Sequence, residues 1–413
     1  MEPYITNIHV NELFHLKDFD IKIADANHPH LMITGKNGSG KTVLLNALVD
    51  FLNNIKDDRA LSCLSYDKQI QNLKNGLSVV SANDKVAYQE AIRSLSNRKE
   101  ELYGKISLLP EDIRSIIETY STDDLILAFY SAERKVNLKE PKNPVKPEFR
   151  KKQRIQVSST DQFLYFLVDL KIQEALFRNE RQVDEADRLG QWFDNFQELM
   201  RTIYQDKQLV LIFDPRSYQF FIETNQKQFK FTQMSDGYAA IIDIVADLIL
   251  KMQDDNSSFS SVYDKKGIVL IDEIETHLHL ELQKLIMPML TQMFPNIQFI
   301  VTTHSPFVLN SIPNVSIYDL EHRQVLEDLT DYSYEILAEG YFGVSTESST
   351  VEMRFRKLQE LLEQSELTSS DMREVKHLKE ELEKISEAVS PDFVGAYRQL
   401  KIKYSDILNN IDK

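Results

Sequence analysis

At 413 residues the chain is long enough for one large head with attachments or for two domains, and its 42% apolar content with sparse Gly and Pro excludes disorder as a whole. A net charge of −16, from 48 basic and 64 acidic side chains, excludes a uniformly basic nucleic-acid coat but allows a local basic patch. The single Cys63 can close no internal disulfide and build no thiolate cluster, and no leader or apolar run of the ~20 residues a membrane span needs is present, so a cytoplasmic chain without membrane contact is expected.

Pro3–Val10 and Asp18–Ile23 alternate apolar and polar residues about a short connection, which predicts an antiparallel hairpin. Leu31–Thr34 is a short apolar strand that stops at a glycine-rich turn. Beyond it Leu44, Ala47, Leu48, Phe51 and Leu52 fall on one helical face. From Ile55 to about Asp124 the text turns polar and reads as helical, without strands. Leu125–Tyr130 returns to strand composition and leads into Ser131-Ala132-Glu133-Arg134. Lys135–Arg154 follows, with Pro141, Pro144 and Pro147 and eight Lys or Arg residues against Glu140 and Glu148.

Asp161–Tyr204 reads as helical. Leu209–Phe213 and Tyr218–Thr224 read as strands turned by Asp214-Pro215. Ile241, Ile244, Val245, Leu248 and Ile249 mark a one-faced helix, Ile268–Ile271 a buried strand, Leu282–Met293 a helix kinked at Pro288, and Ile297–Val301 a second buried strand. Strands alternating with helices of this length predict an α/β fold with a mainly parallel sheet and an antiparallel hairpin at the start. After about Thr350 the text is charged and helical, with Ser369-Ser370-Asp371 offering an N-cap between two helices.

Gly35-Lys36-Asn37-Gly38-Ser39-Gly40-Lys41-Thr42 matches the phosphate-binding loop pattern and stands between a strand and a helix, as that pattern requires. Its glycines let successive N–H groups wrap an anion at the head of a helix dipole. Gly35, Asn37, Gly38, Ser39, Gly40, Lys41, Thr42 and Val43 are therefore the expected contacts to ATP. Lys41 would bridge the β- and γ-phosphates and Thr42 would hold Mg²⁺. Asp272 and Glu273 follow a buried strand, at the sheet edge where ligands gather. Asp272 would bind Mg²⁺, and Glu273 would align or deprotonate the attacking water. Ser235-Asp236-Gly237 heads a helix, either as a second anion site for a γ-phosphate or as an N-cap alone. His304, after the last buried strand, either reaches the same phosphate or is structural.

In order and spacing, the Gly35 loop, Met234-Ser235-Asp236-Gly237-Tyr238, the Asp272-Glu273 strand and His304 resemble the Walker A, signature, Walker B and switch-histidine motifs of ABC-type ATPases. Asp236 and Tyr238 depart from the Gly and Gln of transporter signatures, and Ser131–Arg134 stands at the Q-loop position without a glutamine. The wording around Leu270–His279, Phe294–Pro306 and Tyr130–Arg134 is similar to the RecF and overcoming-lysogenization-defect (OLD) group, which includes the stand-alone ATPase subunits of the Septu and PARIS anti-phage systems. The resemblance covers roughly 1–53 and 125–343.

It implies a head-to-tail dimer, or a larger homo-oligomer built from dimers, in which Ser235, Asp236 and Gly237 of one copy cap the ATP held by Lys41 of the other. It also implies a slow ATPase that controls a separate effector, a nuclease or toxin encoded nearby, under a nucleic-acid or phage-protein trigger. The alternative is a RecF-like repair ATPase acting on DNA directly. No built-in TOPRIM nuclease is expected, because the text after His304 holds no βαβ pattern with Asp-x-Asp. His277-x-His279 could ligate zinc with the nearby carboxylates, or be the subunit-contact loop after Walker B. The basic stretch could bind nucleic-acid phosphates, or be a solvated loop or a dock for an acidic partner.

The chain is thus divided into the first part of the head (1–54), a helical insertion (55–124), a return strand (125–134), a basic loop with a helical lid (135–204), the second part of the head (205–345) and a helical tail (346–413). The tail's stripes, Leu358, Leu361 and Leu362, then Val375, Leu378, Leu382 and Ile385, predict assembly or partner docking, or else a hairpin folded back on the head.

Overall fold

The computed structural model describes residues 2–23, 30–55, 65–77, 82–134, 136–149, 153–225, 227–253, 265–313, 315–326, 329–330, 332, 334–337, 349–364, 368–383 and 391–404. The chain forms two compact units, Met1–Asp331 and Tyr332–Lys413.

The first unit is built on a six-stranded sheet. Its strands are β3 (Leu31–Thr34), β5 (Leu125–Tyr130), β9 (Lys266–Ile271), β10 (Ile297–Thr302), β11 (Ser316–Asp319) and β12 (Gln324–Leu326), in the spatial order β12-β11-β3-β10-β9-β5. All neighbours pair in parallel except β11 and β12. Strands β3 and β10 are buried at every position, which is why they are mostly apolar; the polar Gln298 within β10 is satisfied by the Ile5 backbone.

Alternation along the strands sorts their side chains to two faces. Leu31, Ile33, Ile268, Leu270 and Ile300 join one core with Leu44, Leu45, Leu48, Phe51 and Leu52 of α1 (Lys41–Ile55). Tyr130 instead sends its hydroxyl to Asp247 of α7 (Asp236–Met252), at 2.8 Å. Gly237 and twelve further residues of α7 are buried.

The hairpin forms as expected, from β1 (Asn7–Leu13) and β2 (Leu16–Lys22). The stretch 55–124 is not wholly helical. After α2 (Tyr66–Gly76) and α3 (Ala82–Tyr103) comes a three-residue strand, β4 (Ile106–Leu108), which pairs with β1, and then α4 (Pro110–Ser121). Ile106, Leu108, Ile113, Ile116 and Ile117 lie in the same core as α1, so the text after α3 is part of the head. Asp112 of α4 accepts from the Thr6 N–H at 2.8 Å, tying α4 to the chain before β1.

Helices α5 (Phe163–Asn179) and α6 (Val183–Tyr204) pack beside a second antiparallel sheet of β6 (Val210–Asp214), β7 (Gln219–Glu223) and β8 (Gln228–Lys230). A run of rings joins them: Phe163 meets Phe196, Trp192 stacks on Phe196, and Phe193 stacks on Phe220. Helix α8 (Leu280–Met293) carries Pro288 inside it. A short turn of helix, α9 (Pro306–Leu309), follows β10, with the Ser305 hydroxyl accepting from the Phe307 and Val308 N–H groups.

Among the described residues from Ser349 on, the second unit holds three helices where the sequence suggested two: α10 (Ser349–Leu362), α11 (Ser369–Leu382) and α12 (Pro391–Lys403). Thr368, not Ser369, caps α11, in a reciprocal box with Asp371. Leu358, Leu361, Leu362, Val375, Leu378 and Leu382 bury against one another and against Tyr397 and Leu400 of α12. These stripe residues thus pack within the second unit; Ile385 lies outside the described residues. Leu361→Ala should cost this unit about 2–5 kcal/mol, the range for opening a leucine-sized cavity. The loss would be read as protease sensitivity after Thr350 with nucleotide binding intact; an unchanged digestion pattern would refute the internal packing.

Candidate functional site

The loop between β3 and α1 takes its shape from glycines at positive φ: Gly35 at 130°, Gly38 at 85° and Gly40 at 103°. L-residues rarely adopt such angles, and a Cβ on Gly40 would also lie 2.8 Å from Leu16 Cδ1 of the hairpin. Lys41 is 5% exposed, and its ammonium donates to the carbonyls of Gly35 (2.7 Å) and Lys36 (3.1 Å). Burial lowers its pKa, opposed by Glu273, Glu275, Asp272 and Asp319.

Two elements hold the loop from outside. The β1–β2 connection brings His15, whose imidazole lies 3.1 Å from the Ser39 carbonyl. The β11–β12 turn brings Glu321, whose carboxylate pairs with Lys36 at 3.0 Å. A Cβ on Gly35 would stand 3.1 Å from the Glu321 nitrogen, so the loop lies directly against that turn. Asp319, fully buried, shapes the turn by accepting from the Glu321 N–H at 2.8 Å.

At the end of β9, Asp272 accepts from the hydroxyls of Thr302 (2.6 Å) and Thr42 (3.2 Å). Glu273 sits in the left-handed region, at φ 43°, with its N–H donating to Thr302 Oγ1 at 2.8 Å and its carboxylate accepting from Thr276 Oγ1 at 3.2 Å. Glu275 accepts from the His304 N–H at 2.5 Å, and burial raises its pKa. The His304 imidazole is held below its usual pKa, first by burial and then by the Lys41 charge, which keeps it neutral near pH 7.

A cavity of about 330 Å³ joins Leu13, Phe14 and His15 of the hairpin to the glycine loop, Glu273 and His304. Asn37, Gly38, Gly40, Lys41, Thr42 and Val43 line it together with Glu273 and His304, and Asp272 reaches it through Thr42. Ser235, Asp236 and Gly237 do not line it. Ser39 Oγ is buried without a hydrogen-bond partner, an unsatisfied donor inside an anion-shaped loop. A nucleotide phosphate fits this donor set. The hydroxyl of Thr42 beside the Asp272 carboxylate is the pairing a phosphate-bound Mg²⁺ uses, a cation held by one or two protein oxygens and its phosphates. Among the described residues no three His, Cys, Asp or Glu side chains gather into a metal site, and His277 with His279 forms none.

The signature segment has its own surroundings. Ser235 occupies the N-cap of α7, yet its side chain makes no capping bond, and it is exposed. Tyr238, in place of the transporter glutamine, stacks on Tyr204 at 4.0 Å and meets His279 edge-on. Gly237 is required sterically, since a Cβ there would lie 2.7 Å from the His277 carbonyl oxygen. Gly237→Ala should therefore cost about 1–3 kcal/mol as the α7 start and the His277 loop are pushed apart. Thermal unfolding of the variant checks this; an unchanged midpoint would show that the loop yields freely.

Two contributors were not singled out by the sequence. Thr302 ends β10 and holds both Asp272 and the Glu273 N–H. Arg134, noted only by its place in the chain, donates to the carbonyls of Asp272 and Glu273 at 3.0 and 2.8 Å. The basic stretch is tied down in part: Lys139 pairs with Asp161, and Glu140 accepts from Lys230 and Thr232. Its residues 135 and 150–152 lie outside the described residues.

A mainly parallel sheet with a glycine loop at the head of α1 and paired acids at the end of β9 defines a P-loop nucleotide-binding protein. The chain belongs to the family described as "AAA domain, putative AbiEii toxin, Type IV TA system", which matches residues 31–310. It is 24% identical over 389 residues to the Retron Vc95 probable ATPase of Vibrio cholerae serotype O1 biovar El Tor, covering 79% of this chain and 74% of that one. It is also 24% identical over 412 residues to the Septu protein PtuA of Bacillus mycoides (strain KBAB4). That alignment takes in 94% of this chain and 52% of PtuA, so the chain spans about half of PtuA's length. The likeness to Septu ATPase subunits read from the motifs is thereby borne out. Among solved structures, an Smc head crystallised with the C-winged helix domain of ScpA is 13% identical, with a TM-score of 0.36, covering 79% of this chain and 96% of that chain. Among the described residues no helix is long and apolar enough to cross a membrane.

Proposed function

We propose that this chain hydrolyses ATP in composite sites shared by two head-to-tail copies, and that the cycle controls a separate effector in anti-phage defence. The observation that carries the reading is the make-up of the cavity. Lys41, Thr42, Glu273 and His304 line it while Ser235 and Gly237 stand elsewhere, so the signature of one copy is available to another copy's nucleotide.

Within one site the roles follow from position. The loop N–H groups and Lys41 bind the phosphates and draw charge toward the β–γ bridge. Thr42 and Asp272 would hold Mg²⁺, which neutralises phosphate charge as it develops. Glu273 aligns the attacking water and accepts its proton. His304, neutral, donates a hydrogen bond to the γ-phosphate, and Ser235 and Gly237 of the second copy close over it.

Control of an effector is supported by the likeness to a retron probable ATPase and to a Septu protein. The test is co-expression with the adjacent reading frames and affinity purification with ATP or with ADP. A nuclease or toxin that co-purifies in a nucleotide-dependent manner is the expected result. A chain that instead binds duplex DNA directly, and no neighbouring product, would overturn the effector reading in favour of a repair ATPase.

A further inference from the structure

Strand β5 ends at Tyr130, whose carbonyl accepts from the Asp272 N–H at 2.8 Å, carrying the ladder with β9 one residue into the catalytic turn. Four residues on, Arg134 comes back against that turn. Its Nη2 donates to the carbonyls of Asp272 (3.0 Å) and Glu273 (2.8 Å), and its Nη1 to that of Ile274 (3.3 Å). Three successive carbonyls can converge on one cation only where the backbone leaves the extended form, and Glu273 does so at φ 43°. A glutamate has no intrinsic preference for that conformation, so its surroundings must impose it.

They do so from two sides. From β10, Thr302 takes the Glu273 N–H on its hydroxyl and the Ile274 N–H on its carbonyl. From β5, the guanidinium takes the carbonyls. We propose that Arg134 is a positioning residue for hydrolysis: it clamps the Asp272–Ile274 turn and so fixes where the Glu273 carboxylate stands over the phosphate loop. This rests on the reading of Glu273 as the group that aligns water.

The choice of arginine follows from shape and charge. A planar fork reaches several acceptors at once, whereas a lysine ammonium is a point donor on a flexible stem. The guanidinium is largely withdrawn from water, which lowers its pKa, but Glu275, Asp243, Asp272 and Glu273 favour its charge, in that order. Asp243 lies on α7, the helix headed by the signature residues, and accepts from Thr160 Oγ1 at 2.7 Å. One half-buried cation therefore faces acids from both the Walker B turn and the signature helix.

The test uses the full chain with Arg134→Gln and Arg134→Lys, and reads amide exchange and ATP kinetics together. In R134Q, exchange in peptides covering 270–278 should rise about tenfold or more, with peptides from α1 unchanged. Turnover should fall about 100-fold with KM for ATP within about threefold, because the glycine loop and Lys41 bind the phosphates and the Asp272 carboxylate keeps its own hold on Thr302 and Thr42. R134K should recover part of both losses. Exchange at 270–278 equal to wild type, or turnover within about twofold of it, would overturn the clamp. So would a uniform rise in exchange across the head with KM and turnover lost together, since that would mark a residue needed only for folding. Should the wild-type chain hydrolyse no ATP, the reading of Glu273 fails, and the exchange data still decide whether Arg134 holds the turn.

Discussion

Lys41→Ala should abolish ATP binding, whereas Glu273→Gln should bind ATP within about threefold of wild type and turn it over about 10²–10³-fold more slowly. The two residues line one cavity but face different parts of the reaction. Lys41 carries the charge set into the glycine loop, hydrogen-bonded to the Gly35 and Lys36 carbonyls, and without it the loop loses its cation for the phosphates. Glu273 lies beyond the loop, its backbone held by Thr302 and Arg134 and its carboxylate touched by Thr276. Glutamine keeps its size and loses only its basicity, so the water is aligned poorly while the nucleotide stays. Equilibrium binding of a fluorescent ATP analogue beside single-turnover hydrolysis separates the two. Equal loss of binding in both variants would contradict the assignment.

Mixing Lys41→Ala chains with Ser235→Arg chains should restore hydrolysis that neither shows alone. In a mixed dimer one composite site has lost both its lysine and its serine, and the other keeps both. Random pairing then gives ~25% of wild-type turnover if the two sites act independently. Ser235 suits the experiment because it is exposed and its side chain makes no capping bond, so an arginine there blocks the opposing copy without undoing α7. Mixed dimers shown to form by mass but inactive would rule out a shared site.

The parts of the site that were legible are those written locally. A buried strand, a glycine turn and a one-faced helix lie consecutively from Leu31 to Ile55, and the strand before Asp272 announces itself by its unbroken apolar run. What stayed hidden depends on distant partners. Strand β4 is three residues in polar text and exists because β1 offers it an edge, and β8 likewise depends on β7. Thr302 and Arg134 look like ordinary strand-end residues until β10 and β5 are placed on either side of β9. The tail's apolar stripes were visible, but their partner was not. Helix α12 contributes Tyr397 and Leu400, and two positions one turn apart make too thin a pattern to suggest that the stripes are satisfied from within.

The position of β3 constrains when the molecule can work at all. This strand, encoded near the start, pairs with β10 and β11: Leu31 lies opposite Ile300 on one side and Ser316 on the other. The loop after it rests on the turn at Glu321. During synthesis the phosphate-binding motif therefore leaves the ribosome long before the strands that flank β3 and the turn at Glu321 exist. At about 5–20 residues per second, the chain spends roughly 15–60 s with its central strand unpaired. Contacts so far apart in sequence close late and make folding slow. On the composite-site proposal, an unfinished head would bind no ATP and only completed copies would enter a nucleotide-bridged pair. By the same connection, damage at the β11–β12 edge, far along the gene from the glycine loop, would silence that loop as surely as a change within it.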